Sequence, residues 1–491
     1  MPRMSTHRCV FIVVMFLLAT TIGPMSVAGA ENGFALDSPP RAYFVAPTGS
    51  DDAPGTADEP LATIGRAAAL VEPGETVVVR GGIYREQVKL TRGGTMDAPV
   101  IFMAYEQETP IIDGEGLDID KRSALILIEK DADHVTITGF TVRNSSGVGI
   151  KIYGDYVRIA GCRVTNVDYQ GLTTRGTTGV QYLGNEVWET CRMNLPKERE
   201  GGWPAAMTAW ESSGVTYLGN TVHDNHGEGI SAWLGSEDCR MLNNTVYDNW
   251  SVNIYLDNSK RALVEGNLVY TTRTSFSSHR DPAIGIAIAD EDYSYGDSGW
   301  TPQGGGHVVR NNIILNCSRG ISFYQYVEGS GLKNCTFANN TILGAWQCGV
   351  RALGGEHART HFMNNIVVVR EDAHVLEVTR PDGLDFDHNL FWCLSGESKD
   401  KFIWGDRSLD FKLWDSQAYE FKGNLWADPK VTDPLGTTAE DAMLLEGSPA
   451  IDVALSIGAP KADYWGHERP ADGNRDGLKA TDIGAHEFAA K

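Results

Sequence analysis

The chain has 491 residues, 42% of them hydrophobic, with 12 tryptophans and 54 glycines, enough apolar material for a large core and enough glycine for many tight turns. With 42 Lys and Arg against 64 Asp and Glu, the formal charge is −22. That balance argues against nucleic acid and anionic membrane surfaces as partners.

The first residues read in secretory order. Arg3 and His7-Arg8 flank an apolar run from Cys9 to about Leu18, and Ala28-Gly29-Ala30 before Glu31 offers a small-x-small cleavage site. Residues 1–30 are therefore assigned to a signal peptide, and the mature chain is expected outside the cytoplasm, extracellular or periplasmic, with no membrane partner after cleavage. Cys9 leaves with that segment. The other seven cysteines, Cys162, Cys191, Cys239, Cys317, Cys335, Cys348 and Cys393, show no CxxC spacing, so buried free thiols are expected and zinc is not.

Tyr43-Phe44-Val45 reads as a strand. Ile64, Ala67, Ala68 and Val71 then recur with helical spacing, with Thr63 placed as N-cap and Pro73-Gly74 as the stop. Thr76 to Arg80 returns to strand. This opening, within residues 41–120 and covering roughly Tyr43 to Gly114, resembles the start of secreted bacterial right-handed parallel β-helix proteins of the pectin-lyase-like class, including family 9 pectate lyases, where a helix plugs the open end of the coil. The resemblance implies an all-β fold: a single-stranded right-handed parallel β-helix with an N-terminal helical cap, in a carbohydrate-active protein.

From Val135 the chain registers on a recurring inward position: Phe140, Cys162, Asn185, Asn220, Asn244, Asn267, Asn312, Asn340, Asn365 and Asn389. Subtracting neighbours gives steps of 22, 23, 35, 24, 23, 45, 28, 25 and 24 residues. A coil of about that length with three short strands predicts a solenoid of about ten or more turns over 121–430. The recurrent Asn is expected to stack amide on amide and satisfy buried turn carbonyls, so sequons such as Asn243-Asn244-Thr245 and Asn249-Trp250-Ser251 are by-products. The two long steps locate insertions near 193–204 and 271–306, expected to wall one face.

That face is marked by a phrase written eight times between Gly149 and Gly354, such as Gly229-Ile230-Ser231-Ala232-Trp233 and Asn253-Ile254-Tyr255-Leu256-Asp257. With a period of two, its second and fourth residues point inward and its third and fifth outward. Stacking the phrases predicts an outward column of Arg175, Trp210, Trp233, Asp257, Ala289 and Tyr324, with Glu211, Leu234, Asn258, Asp290 and Gln325 beside it. Rungs about 4.8 Å apart would bring Asp257 and Asp290 to about 5 to 6 Å, and Glu211 and Asp257 to roughly 10 Å. Paired carboxylates at such distances are what glycoside hydrolysis needs, and flat aromatic rings are what pyranose faces bind. Candidate acids and bases are Asp257, Glu228, Glu211, Asp290 and His226. Candidate substrate contacts are Trp210, Trp233, Tyr255, Arg175, Lys151, Tyr324, His279 and Arg280. The acidic run Asp290-Glu291-Asp292 by itself reads as exposed surface.

The resemblance also implies a rival chemistry. In lyases sharing this fold, a Lys or Arg beside calcium-binding carboxylates abstracts the proton next to a uronate; Lys151 or Arg175 would be the base, and Glu211 or Asp257 would hold calcium. Residues 431–491 resemble the terminal segment that closes many bacterial β-helix proteins by folding back along the coil. Asp472-Gly473-Asn474-Arg475-Asp476-Gly477 mimics the first half of a calcium loop, but its twelfth position is Ile483, so polar loop and calcium site both stand. The sequence thus predicts a secreted glycoside hydrolase acting on a polysaccharide or oligosaccharide. Calcium-dependent lyase and non-catalytic carbohydrate-binding surface protein are the alternatives. The long outward faces offer room for trimerisation without fixing a stoichiometry.

Overall fold

The computed structural model describes residues 42–195, 204–273, 282–292, 305–417 and 423–489. The chain winds through three sheets of thirteen strands each. One coil contributes one strand to each sheet in turn, as Val135–Thr138, Thr141–Ser145 and Val148–Ile152 do. Every strand then pairs in parallel with its counterpart one coil on, for example Val252–Asp257 with Ile284–Asp290. The exception is Arg407–Leu409, which turns back antiparallel on Phe402–Trp404. This is the all-β parallel β-helix that the repeats predict.

The helix Ile64–Leu70 buries Ile64, Ala67 and Ala68 in the same core as the first strands, and Thr63 caps it by accepting the Arg66 N–H. It sits at the start of the coil against Ala42–Val45 and Val88–Leu90. All seven described cysteines are free and buried. Among the described residues no helix is long and apolar enough to cross a membrane.

The interior asparagines form a continuous ladder. In each step one Oδ1 accepts both the backbone N–H and the side-chain amide of the Asn a coil earlier, as Asn244 Oδ1 does from Asn220 at 3.0 and 2.9 Å. The amide Nδ2 also donates to an interior strand-end carbonyl, as Asn220 does to Tyr182 at 3.0 Å. The run extends from Asn185 to Asn424. A second, shorter ladder at the next corner joins Thr190, Asn225, Asn249 and Asn253. A buried turn carbonyl left unpaired costs about 1 to 3 kcal/mol, so these stacks are what let tight corners repeat inside an apolar core.

Residues beyond Val431 fold back over the outer face of the sheet that carries Ile313, Leu315, Leu343, Ile366 and Leu390, and bury Val431, Leu444, Ile451 and Ile483 against it. Asn316, Asn339 and Asn364 donate to carbonyls of this segment, fastening it to the coil. At its centre the ion pair of Arg469 with Glu487, at 3.0 Å, is almost fully excluded from water.

Candidate functional site

The expected outward column exists in register. Arg175 pairs with Trp210, Trp210 with Trp233, Trp233 with Asp257, Asp257 with Ala289, and Ala289 with Tyr324. Alternation explains it: Ile254, Leu256, Ile286 and Ile288 fill the core, so the residues between them face out. A second outward row runs parallel through Lys151, Thr173, Thr208, Ser231, Tyr255, Ala287 and Ser322. Between Thr173 and Ser322 this row is buried although it points away from the core. Val252, Tyr255, Ala287 and Ala289 form a separate apolar cluster there, with Tyr324 against it.

The carboxylates gather around Tyr255. Its hydroxyl donates to Glu291 Oε1 at 2.7 Å. Burial first, and then the charges of Asp257, Glu291 and Glu228, hold this phenol well above its usual range, so it stays protonated and acts as a donor. Those three acids come from three successive rungs of one sheet. Asp257 and Glu228 are 4% and 8% exposed. Glu228 opens the strand Glu228–Trp233 beside the corner, where its charge also reaches Cys191. Glu291 is gripped from below: its N–H donates to Asn258 Oδ1 and its carbonyl accepts from Asn258 Nδ2.

The remaining candidates separate. Arg175 pairs with Glu211 at 3.1 Å and lies 3.6 Å above the Trp210 ring, which covers one face of that indole. Trp233 leans on Trp210 with centroids 4.7 Å apart and planes at 45°. Lys151 donates to the Arg122 carbonyl at 2.9 Å, four rungs below Tyr255. Tyr324 accepts from Arg319 Nη1 at 2.9 Å, and Tyr326 packs near it within reach of the charges of Glu291 and Asp257. Asp290 is offset by one residue from Ala289 and pairs with Gln325, with Lys333 as the charge that lowers its carboxyl; burial outweighs that and raises it to about 6. His226 sits in the corner before Glu228, its carbonyl accepting from Asn194. His279 and Arg280 lie outside the described residues, as do most of both insertions.

Sequence reasoning missed Glu291, Arg319 and Ser322. For Glu291 the signal was present: the outward alternation through Ala287 and Ala289, carried two residues further, lands on it and skips Asp290.

Two carboxylate groups in the closing segment have the composition of metal sites and are already engaged. Asp463, His467 and His486 bring their donor atoms within 4.8 Å of one another. Asp463, however, accepts the backbone N–H groups of Trp465, His467 and Glu487, and His486 Nδ1 accepts from Leu444. In the 472–477 loop, Asp472, Asn474 and Asp476 accept the N–H groups of Gly477, Asp476 and Leu478, the pattern of a self-closing turn.

Comparison with known proteins agrees with this architecture. The fold is similar to that of the solved complex of XylC with xylose, at a TM-score of 0.52 and 12% identity, covering 92% of this chain and 99% of that one, a likeness of fold alone. Pectate lyase PEL9 of Emericella nidulans is 36% identical over 210 residues, 39% of this chain; the match spans about half, 49%, of that relative's length. The Bacillus subtilis protein YwoF is 26% identical over 441 residues, 79% of this chain and 88% of its own. Residues 43–351 match the family described as Pel9A-like, right handed beta helix region, and the chain belongs to that family.

Proposed function

We propose that the protein cleaves glycosidic bonds of a polysaccharide or oligosaccharide, as a glycoside hydrolase working on the outward face of the sheet that carries Asp257. The observation that carries this reading is the convergence of Glu228, Asp257 and Glu291, from successive rungs, on the one protonated phenol of Tyr255. Hydrolysis needs one carboxylic acid to protonate the departing oxygen and one carboxylate to take a proton from water, or to attack the anomeric carbon itself. Several acids on one water-poor face supply both parts. Trp233, half-buried beside Asp257 in the column, provides an apolar surface for a neighbouring sugar.

A β-eliminating lyase is the second reading, favoured by the 36% identity to a pectate lyase. In it Glu228, Asp257 and Glu291 would hold a calcium ion, a hard cation that takes carboxylate oxygens and would acidify the proton beside a uronate. The base would have to be a nearby cation, and Arg319, whose charge reaches Tyr326 together with those of Glu291 and Asp257, joins Lys151 and Arg175 as a candidate. Secretion, read from residues 1–30, belongs to the same proposal.

A panel of neutral and uronate polysaccharides tests both readings, assayed with and without chelator for reducing ends and for the ultraviolet absorbance of unsaturated uronate. Reducing ends without absorbance, unaffected by chelator, are expected. Absorbance that disappears on chelation would put the lyase in place of the hydrolase, and binding without turnover would leave only a lectin-like role.

A further inference from the structure

We infer that Glu291 is a catalytic carboxylate of this face, working with Asp257, and that Asn258 and Tyr255 are its positioning residues; the inference rests on the hydrolytic reading above.

Four observations carry it. Glu291 directly follows the strand Ile284–Asp290, two residues after the outward Ala289, whereas Asp290 pairs with Gln325 and meets the charge of Lys333. The backbone of Glu291 is held at both its N–H and its carbonyl by the fully buried Asn258, a grip that an exposed acidic run would not need. One carboxylate oxygen of Glu291 accepts from the Tyr255 hydroxyl, which fixes the direction of the side chain on the same face as Asp257. Finally, Ser322 stands two rungs above Tyr255 in the same outward row, fully buried, and its hydroxyl has no hydrogen-bond partner among the described residues. A buried hydroxyl aimed outward at such a place is what a sugar hydroxyl would satisfy.

Asp257 pairs with Ala289, so Glu291 lies one rung and two residues away. By strand geometry the two Cα atoms are about 8 Å apart, and the charges of both side chains act on the Tyr255 phenol, so the two acids share one face. In the step this assigns, Glu291 accepts a proton from a water while the water oxygen bonds to the anomeric carbon. The bond from that carbon to the glycosidic oxygen breaks, its electron pair stays on the departing oxygen, and Asp257 gives that oxygen its proton. Solvent then returns Glu291 and Asp257 to their starting protonation states.

The test compares wild type with Glu291→Gln, Glu291→Ala and Tyr255→Phe on the glycan that the wild type cleaves, with circular dichroism to verify folding. Glu291→Gln should lose on the order of 10² to 10⁴ in kcat with KM within a few-fold. Tyr255→Phe should lower kcat about tenfold or more and leave KM in place. Azide should restore turnover to Glu291→Ala on an activated glycoside and yield the glycosyl azide, a response that a merely structural carboxylate does not give. Wild-type turnover in Glu291→Gln overturns the inference and leaves the hydrolytic reading standing. So does loss of turnover in Asp290→Asn with Glu291→Gln active. If the wild type cleaves no glycan on the panel, the reading fails and the inference falls with it. Should Glu291→Gln not fold, Glu291→Asp, which keeps the charge and shortens the reach, decides by the same loss of kcat.

Discussion

Asn258 and Glu291 hold each other between adjacent coils: the Glu291 N–H donates to Asn258 Oδ1 at 2.7 Å, and Asn258 Nδ2 donates to the Glu291 carbonyl at 2.9 Å. Asn258 does this from the left-handed region, at φ 48°, where Asn is among the few residues tolerated. Its own N–H is bonded to the Ala289 carbonyl, so the turn is tied to the next rung three times. Replacing Asn258 by Ala leaves both backbone groups of Glu291 without these partners. We expect a loss of about 1 to 3 kcal/mol in stability by denaturant titration, and a fall of about tenfold or more in kcat measured below the transition. Equal loss of stability with full turnover would make the clamp a fold device only.

Trp233 is the aromatic residue next to Asp257 in the column, and Trp210 beneath it has one face taken by the Arg175 guanidinium. A sugar that stacks on this column therefore meets Trp233 before Trp210. Trp233→Ala should raise KM about tenfold, a loss of roughly 1 to 2 kcal/mol of binding, while kcat stays within about twofold. Arg175→Ala should have the smaller effect on KM, since its pair with Glu211 is partly exposed and contributes little. The reverse ranking would move the sugar platform one rung down.

Much of this is legible in the sequence alone. The interior ladder announced itself because one residue type recurs at nearly one coil length, and the outward column because alternation inside a strand cannot slip by one without exposing the core. The second ladder was not visible: Thr190, Asn225, Asn249 and Asn253 change residue type and belong to a corner whose length varies. Glu291 was hidden for a different reason. It lies in Asp290-Glu291-Asp292, just past the strand Ile284–Asp290, and three consecutive acids look like solvated surface until the bonds of Glu291 to Asn258 and Tyr255 are seen. Asp290, the more obvious choice by spacing, is one residue out of phase. The closing segment was recognisable by resemblance, but its fastening to Asn316, Asn339 and Asn364 depends on contacts more than 90 residues apart in sequence, which no local pattern encodes.

The Asn ladder should carry stability and not activity. Asn312 is fully buried; its Oδ1 accepts from Asn267 N and Nδ2 at 3.0 and 2.8 Å, and its Nδ2 donates to the Val264 carbonyl at 2.9 Å. Asn312→Ala deletes these bonds at once and leaves Asn267 and Val264 with unpaired buried groups. About 2 to 5 kcal/mol should be lost, seen as a lower denaturation midpoint, with turnover per folded molecule unchanged. An unshifted midpoint would mean that water or a neighbour replaces the amide.

The closing segment should make stability fall as pH rises toward neutrality. Asp482 is raised from the usual carboxylate range to about 7, chiefly by burial and further by Glu487 and Asp452, although the N–H groups of Asp452 and Phe488 bond its oxygens. A carboxyl raised in the folded state holds its proton more tightly there than in the unfolded chain. Its contribution is therefore complete below about pH 4 and lost as pH climbs through about 7. Glu487 is raised for the same first reason, so it slopes the same way, with Arg469 opposing it. The buried imidazoles His307, His357 and His486, each lowered to about 4 by burial, act in the opposite sense below their usual value, since folding resists their protonation. The difference between wild type and Asp482→Asn isolates the carboxyl. The variant gives up part of one backbone bond, so it should melt lower than wild type at pH 5, and the gap should narrow or reverse by pH 8 because Asn has no proton to lose. Melting temperatures measured across that range decide it: parallel curves would show that Asp482 is ionised throughout, held by its two N–H donors against the loss of solvent.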